Sequence, residues 1–227
     1  MLIGKFAAMK VFATSFFLAL ALICGPVPSL SAQATPEYSG FRLVADLAAF
    51  KKEFAAASAK VQSVQGSFVQ EKTLFALTEK ITSRGKLWFK REDKVRMDYE
   101  SPFVYKMIIN GDKVYIRDGE KESQLNVRSN KLFQQVNRIM IDCMQGTILE
   151  SSNFTVRAFE NDAYSLLELT PVSKNLKEFF QTIVLWIDKK DHAPRSIELN
   201  EPSGDKTLIT LSDKTVNGQI RDEVFTF

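Results

Sequence analysis

The sequence predicts a mainly β chain with some helix: a curved antiparallel sheet forming an incomplete, half-open β-barrel closed by a helical lid. Three observations lead there. Roughly ten short segments alternate apolar and polar residues and follow one another in meander order, and a sheet that long curls. Turn signals, among them Asn110-Gly111 and Asp118-Gly119, separate those segments, since these residues tolerate positive φ. Two segments with helical rather than strand periodicity interrupt the β pattern and are available to cover the concave face.

The N-terminus is set aside first. Lys5 and Lys10 form a basic region, Val11 to Ile23 is apolar, Pro26 and Pro28 break any helix, and Ala32-Gln33-Ala34 offers a cleavage signal. That order predicts a secretory signal peptide over residues 1–34, a run too short to span a bilayer, and a single domain over residues 35–227. Cys24 ends the apolar run, but Ile23 stands before it where a lipid-attachment signal requires a small residue. The full chain has 30 basic and 27 acidic side chains. Losing Lys5 and Lys10 leaves 28 against 27, a net charge of +1 that argues against nucleic acid as a partner. Cys143 is then the one cysteine left, so the fold rests on its hydrophobic core rather than on a disulfide.

Each element follows from its spacing. Leu43, Leu47, Phe50 and Phe54 fall at intervals of three and four, which predicts an amphipathic helix over Phe41 to Lys60. Ser67 to Leu77, with Phe68, begins the β region, followed by Lys86 to Lys90 around Trp88. Val95-Arg96-Met97-Asp98-Tyr99-Glu100 alternates strictly, placing Val95, Met97 and Tyr99 on one face and the charges on the other. Tyr105 to Ile109 and Val114 to Arg117 continue the meander. Leu132 to Met144, with Phe133, Val136, Met140 and Met144 on its stripe, reads as a second helix stopped by Gly146. Strands resume at Phe154–Phe159, Tyr164–Thr170, Phe179–Ile187, Ser196–Leu199 and Lys206–Ser212, and Val224 to Phe227 is also β-like.

Catalytic patterns are scarce. His192, the one histidine, sits in Asp191-His192-Ala193-Pro194 and reads as an exposed turn. A Ser-His-Asp triad depends on that residue alone, and a zinc site of several His and Cys ligands fails by count. Cys143 lies in an apolar helix and reads as a small core residue. Carboxylates are plentiful, but most alternate onto the wet face. What the chain has in excess is aromatic and apolar side chains, 18 Phe among them. They either fill an ordinary core or line a cavity that a curved sheet encloses, and composition does not separate the two.

Phe68-Val69-Gln70-Glu71-Lys72 followed by Gly85-Lys86-Leu87-Trp88-Phe89-Lys90-Arg91 resembles the outer-membrane lipoprotein carrier family LolA. Ser101-Pro102, Asn110-Gly111-Asp112-Lys113-Val114-Tyr115, Leu169-Thr170-Pro171, Asn175 to Phe179 and the final Phe225-Thr226-Phe227 match further family features in order. Two positions depart: Glu92 stands where the family has proline, and Val95 where it has phenylalanine. The resemblance implies an apolar cavity for acyl chains lined by Leu43, Leu47, Phe50, Phe54, Phe68, Trp88, Val95, Met97, Tyr99 and Met140. It implies that Arg91 latches the helical lid. It also implies a periplasmic, monomeric, non-enzymatic carrier without cofactor or metal. Such a carrier takes a lipidated protein or other acylated cargo from an inner-membrane exporter to an outer-membrane acceptor or membrane. A carrier of another amphiphile, such as a glycolipid or acylated precursor, a secreted hydrolase using a carboxylate pair, and a filled structural β-domain are the alternatives.

Overall fold

Hairpin turns string the alternating segments into one continuous sheet. The computed structural model describes residues 38–76, 79–91, 93–126 and 131–226, and of residues 131–133 and 135–137 the backbone alone. The expected signal peptide, Glu92 and the final Phe227 lie outside the described residues, as do the side chains of Phe133 and Val136. The strands are β1 (Arg42–Leu43), β2 (Ser63–Thr73), β3 (Lys80–Lys90), β4 (Lys94–Ser101), β5 (Tyr105–Asn110), β6 (Lys113–Asp118), β7 (Lys121–Asn126), β8 (Phe154–Glu160), β9 (Tyr164–Pro171), β10 (Thr182–Asp188), β11 (Pro194–Asn200) and β12 (Lys206–Val216). They pair antiparallel in the order β1-β8-β9-β10-β11-β12-β2-β3-β4-β5-β6-β7. Both ends of that order remain unjoined, so the sheet is an open barrel, as the sequence predicts.

Two hairpins rest on glycine. The β5–β6 and β6–β7 turns place Gly111 and Gly119 at their first central position, each with φ near +59°, a conformation that costs glycine nothing. The β7 strand was not expected. Its sequence, Lys-Glu-Ser-Gln-Leu-Asn, is almost wholly exposed and has no apolar alternation. The Gly119 turn folds it back onto β6, and its charges suit an unpaired edge.

Helix α1 (Leu47–Ser58) begins later than its periodicity predicts. Asp46 caps it, its carboxylate accepting from the Ala49 amide at 2.9 Å. Leu43 therefore precedes the helix, in β1, where it pairs with Phe159 and is 60% exposed. Helix α2 (Lys131–Gln145) falls where expected and runs into a 3₁₀ turn, Thr147–Glu150. A single turn, α3 (Lys174–Lys177), joins β9 to β10.

The two ends of the described chain strap the outer face. Tyr38 and Phe41 pack with Phe159 and Trp186, and the Tyr38 hydroxyl donates to Glu168 Oε2 at 2.8 Å. At the C-terminus a 3₁₀ turn, Asp222–Phe225, replaces the expected strand. The strands beneath already have partners on both sides, so the segment binds by side chains instead of a ladder. Phe225 is fully buried beside Trp88 and Ile108. Arg96 holds the Val224 carbonyl at 2.8 Å, and Lys90 and Lys94 both reach Asp222 Oδ1, at 2.8 and 2.9 Å. Those two ammonium groups draw the Asp222 carboxyl down to about 2.

Candidate functional site

Strand register builds the inner face row by row. Val64, Phe89, Val95, Ile109 and Val114 stand opposite one another across β2 to β6, and Leu87, Met97, Met107 and Ile116 form the next row. Phe68, Gly85, Tyr99 and Tyr105 form the third. Across the other half, Ile197, Leu185, Leu167 and Ala158 continue the same face from β11 to β8.

Both helices lie on this face. Leu47, Phe50 and Phe54 of α1 pack on the β8–β11 half together with Ile139 and Cys143 of α2. Met140, Ile141 and Met144 of α2 pack on the β2–β6 half. α2 thus joins two apolar clusters. Met144, four positions after Met140, continues the stripe read from the sequence, and Ile141, which that reading did not single out, covers the second cluster with it.

Of the residues expected to line a cavity, the structure brings together Leu47, Phe50, Phe54, Phe68, Val95, Met97, Tyr99 and Met140. Leu43 and Trp88 do not join them. Trp88 points outward with Lys86 and Lys90, because neighbouring residues of a strand face opposite ways. It packs on Ile108, Ile220 and Phe225 and carries the Arg96 guanidinium 5.2 Å from its ring centroid. Leu87 and Phe89 are its inward neighbours, buried among the inner-face residues.

Arg91 is the polar centre of the arrangement. It follows β3 directly, half-buried, and its side chain donates to three backbone carbonyls: Nε to Val61 at 2.7 Å, Nη2 to Ser58 at 2.7 Å and Nη2 to Gln145 at 3.0 Å. Ser58 and Gln145 are the last residues of α1 and α2. Helix C-termini leave carbonyls without partners and carry partial negative charge. One guanidinium therefore caps both helices and fixes them to the sheet rim. A second tie runs alongside, from Gln145 Nε2 to Asp93 Oδ1 at 3.1 Å, and the Asp93 carbonyl accepts from Gly111 N at 3.0 Å.

The helix ends meet closely because of Gly146. It follows α2 with φ +75°, and a Cβ there would collide with the Ser58 side chain and lie 3.2 Å from Phe54. Gly146→Ala is expected to cost about 2 kcal/mol, combining left-handed strain with displacement of the α1 end. Urea unfolding measures this, and an unchanged midpoint would deny the close approach.

Among the described residues, three groups with chemical potential stand out. Cys143 is buried, and burial with nearby Asp142 pushes its thiol far up, away from thiolate. Tyr99 donates to Gln70 Oε1 at 2.9 Å, and burial pushes its phenol up to about 12. His192 is exposed in the β10–β11 turn at φ +57°. Among the described residues no three His, Cys, Asp or Glu side chains are grouped to hold a metal, and no helix is long and apolar enough to cross a membrane.

The chain is 27% identical over 146 residues to an outer-membrane lipoprotein carrier protein of Chromohalobacter salexigens, covering 64% of this chain and 66% of that one. Among solved structures it is similar to a LolA superfamily protein from Nitrosomonas europaea (13% identity, 78% of this chain and 97% of that one, TM-score 0.43). It is likewise similar to a chain of the Pseudomonas aeruginosa MucA/MucB complex (13% identity, 78% and 59%, TM-score 0.49). The family model described as outer membrane lipoprotein carrier protein LolA matches residues 59–227, which take in the whole sheet except β1, together with α2 and Arg91, and leave out α1. The chain belongs to the LolA family.

Proposed function

We propose that this protein is a periplasmic carrier that holds the acyl chains of a lipidated protein between the inner face of its sheet and the two helices. On this reading residues 1–34 are removed on export. The monomer then receives cargo from an inner-membrane exporter and delivers it to an outer-membrane acceptor. The single observation that carries the proposal is the cover: two helices with apolar undersides, both fastened at one end by Arg91. Membership of the LolA family supports the same reading.

The packing explains how such a carrier avoids holding its cargo for ever. Burying an acyl chain gains about 0.8 kcal/mol per methylene, so one long chain gains roughly 10 kcal/mol in a dry cavity. Several chains would never leave unless binding displaced something favourable. Phe68, Phe89 and Val95 are each at most 1% exposed, packed in the cluster that Ile141 and Met144 of α2 complete. Cargo therefore enters by lifting the helices. The contacts broken then, and the Arg91 bonds, drive closure once the cargo leaves.

The test is recovery of the protein from periplasm by gentle purification, followed by native mass spectrometry. The expected result is one folded chain starting near Thr35 with a lipopeptide bound. A free glycolipid in its place would transfer the site to a different amphiphile. Folded protein that carries no lipid and takes up no fluorescent fatty acid would refute the carrier reading.

A further inference from the structure

The link that leaves α1 for β2 has its carbonyls accounted for one by one. Carbonyls at and after a helix end lack partners unless the fold supplies donors. Here five in a row have them. Ser58 and Val61 accept from the Arg91 guanidinium, at 2.7 Å each. Gln62 accepts from the Arg91 amide at 2.9 Å. Ala59 accepts from the Gln62 side chain at 2.7 Å. The fifth, Lys60, accepts from Asn217 Nδ2 at 3.0 Å.

Sheet order explains why two residues share this work. β2 lies between β12 and β3, Asn217 directly follows β12, and Arg91 directly follows β3. The link is therefore held from both neighbours of the strand it enters. Asn217 makes two further bonds there: its Oδ1 accepts from the Gln62 amide at 2.7 Å, and its own amide donates to the Ser63 carbonyl at 2.8 Å. The buried Ser63 hydroxyl donates back to the Gly218 carbonyl at 2.6 Å. Asn217 stands at φ +59°, a conformation that asparagine adopts more readily than most residues. Asn217-Gly218 has the signature of a hairpin turn, yet no strand follows it among the described residues. The left-handed turn instead lays the side chain on residues 60 to 62.

Opening treats the two holds differently. Lifting the helices from the inner face breaks the guanidinium bonds to Ser58 and Gln145, which belong to the helices themselves. The Asn217 bonds go to Lys60, Gln62 and Ser63, all beyond the end of α1, and so survive. Asn217 also lies outside the apolar clusters of the inner face.

We propose that Asn217 is the positioning residue of the Arg91 clasp. It keeps the α1–β2 link fixed to β12 while α1 lifts for cargo, so α1 turns about residues 58–60 instead of leaving the rim. The Ser58 and Val61 carbonyls then stay within reach of Arg91, and the closed state that expels cargo re-forms. The inference rests on the carrier reading and assigns one further residue to its release step, acting through Arg91.

Asn217→Gly is the test variant, because glycine accepts φ +59° freely and only the two side-chain bonds are lost. Each protein is loaded with a fluorescent palmitoylated peptide, and its release to an excess of phosphatidylethanolamine vesicles is timed. The glycine variant is expected to load normally and to release roughly threefold more slowly, a modest effect because water reaches both bonds. Arg91→Leu has already lost the clasp, so adding Asn217→Gly to it should slow release no further. Asn217→Asp keeps the acceptor for the Gln62 amide without the donor to Lys60, and its rate should fall between wild type and the glycine variant. Hydrogen exchange, which needs no cargo, is the second readout. In the glycine variant the amides of the last turn of α1 and of the link should exchange faster, while those of the last turn of α2 keep their protection. Release at the wild-type rate, unchanged exchange at α1, or slowing that multiplies with that of Arg91→Leu overturns the proposal. Failure of wild type to load the peptide refutes the carrier reading instead, and exchange then decides by itself whether Asn217 holds the link.

Discussion

Met97→Asp is expected to abolish uptake of an acyl probe and to lower unfolding free energy by about 4 kcal/mol. Met97 is 5% exposed on the inner face, opposite Leu87 and Met107 and under the helix residues that close this cluster. The described residues of its cluster are all apolar or aromatic, so burial would hold a carboxylate there neutral well above the usual carboxylate range. The sign of the pH dependence follows. The introduced group has a folded-state pKa above its unfolded value of about 3.9, so no ionisation penalty exists below that pH. The penalty grows as pH rises, because the unfolded chain ionises first, and is complete above the folded-state pKa. Asp98→Asn, one residue along, is the control. Asp98 faces outward and accepts from Arg96 Nε at 2.9 Å and Nη2 at 2.7 Å. Losing part of that pair on a face reached by water is expected to cost about 1 kcal/mol or less. Urea titrations of the two variants at pH 4 and pH 7 make the comparison, and equal losses would reverse the assignment of faces.

The same alternation that licenses this prediction shows where the sequence was legible and where it was misread. Val95, Met97 and Tyr99 were placed inward because polar neighbours separate them, and the register puts them there. Trp88 sits in Lys-Leu-Trp-Phe-Lys, where three apolar residues in a row hide the period. The flanking lysines resolve it: Lys86, Trp88 and Lys90 share a face, and Lys90 is held outside by Asp222. The Trp88 face is apolar as well because the C-terminal strap covers it with Ile220 and Phe225, a contact more than a hundred residues away that local pattern does not carry. Leu43 was misread for a local reason. Its spacing continues the α1 stripe, but Asp46 caps the helix after it and β1 pairs with β8. The clasp was half legible. Arg91 at a strand end next to a turn reads as a rim residue, and the resemblance gave it a latch role. Its actual acceptors are backbone carbonyls of Ser58, Val61 and Gln145, which no side-chain motif announces.

Arg91→Leu is expected to leave loading of a lipidated cargo intact and to slow its hand-off at least tenfold. The guanidinium donates three bonds, to carbonyls at two helix ends and to that of Val61 in the turn after α1, and hydrogen bonds from charged groups contribute about 1.5 to 3 kcal/mol each. They share one side chain and are half-exposed, so they do not add, and a total of about 3 kcal/mol is the expected loss. That loss falls on the closed, empty state, because opening the helices breaks the same bonds. The inner face is untouched, so acyl chains still find it. What disappears is the free energy that expels them when an acceptor competes. Hydrogen exchange separates this account from simple destabilisation. Amides in the last turns of α1 and α2 should exchange faster in the variant, while those of the β3–β4 ladder keep their protection. Arg91→Lys is the sharper comparison. It preserves the charge, but an ammonium cannot reach three carbonyls that a planar fork spans, so its hand-off should lie near that of the leucine variant. Wild-type rates in the lysine variant would show that charge alone holds the rim. Wild-type rates and unchanged exchange in the leucine variant would remove the latch from the mechanism, leaving closure to the apolar contacts of Phe54, Ile141 and Met144.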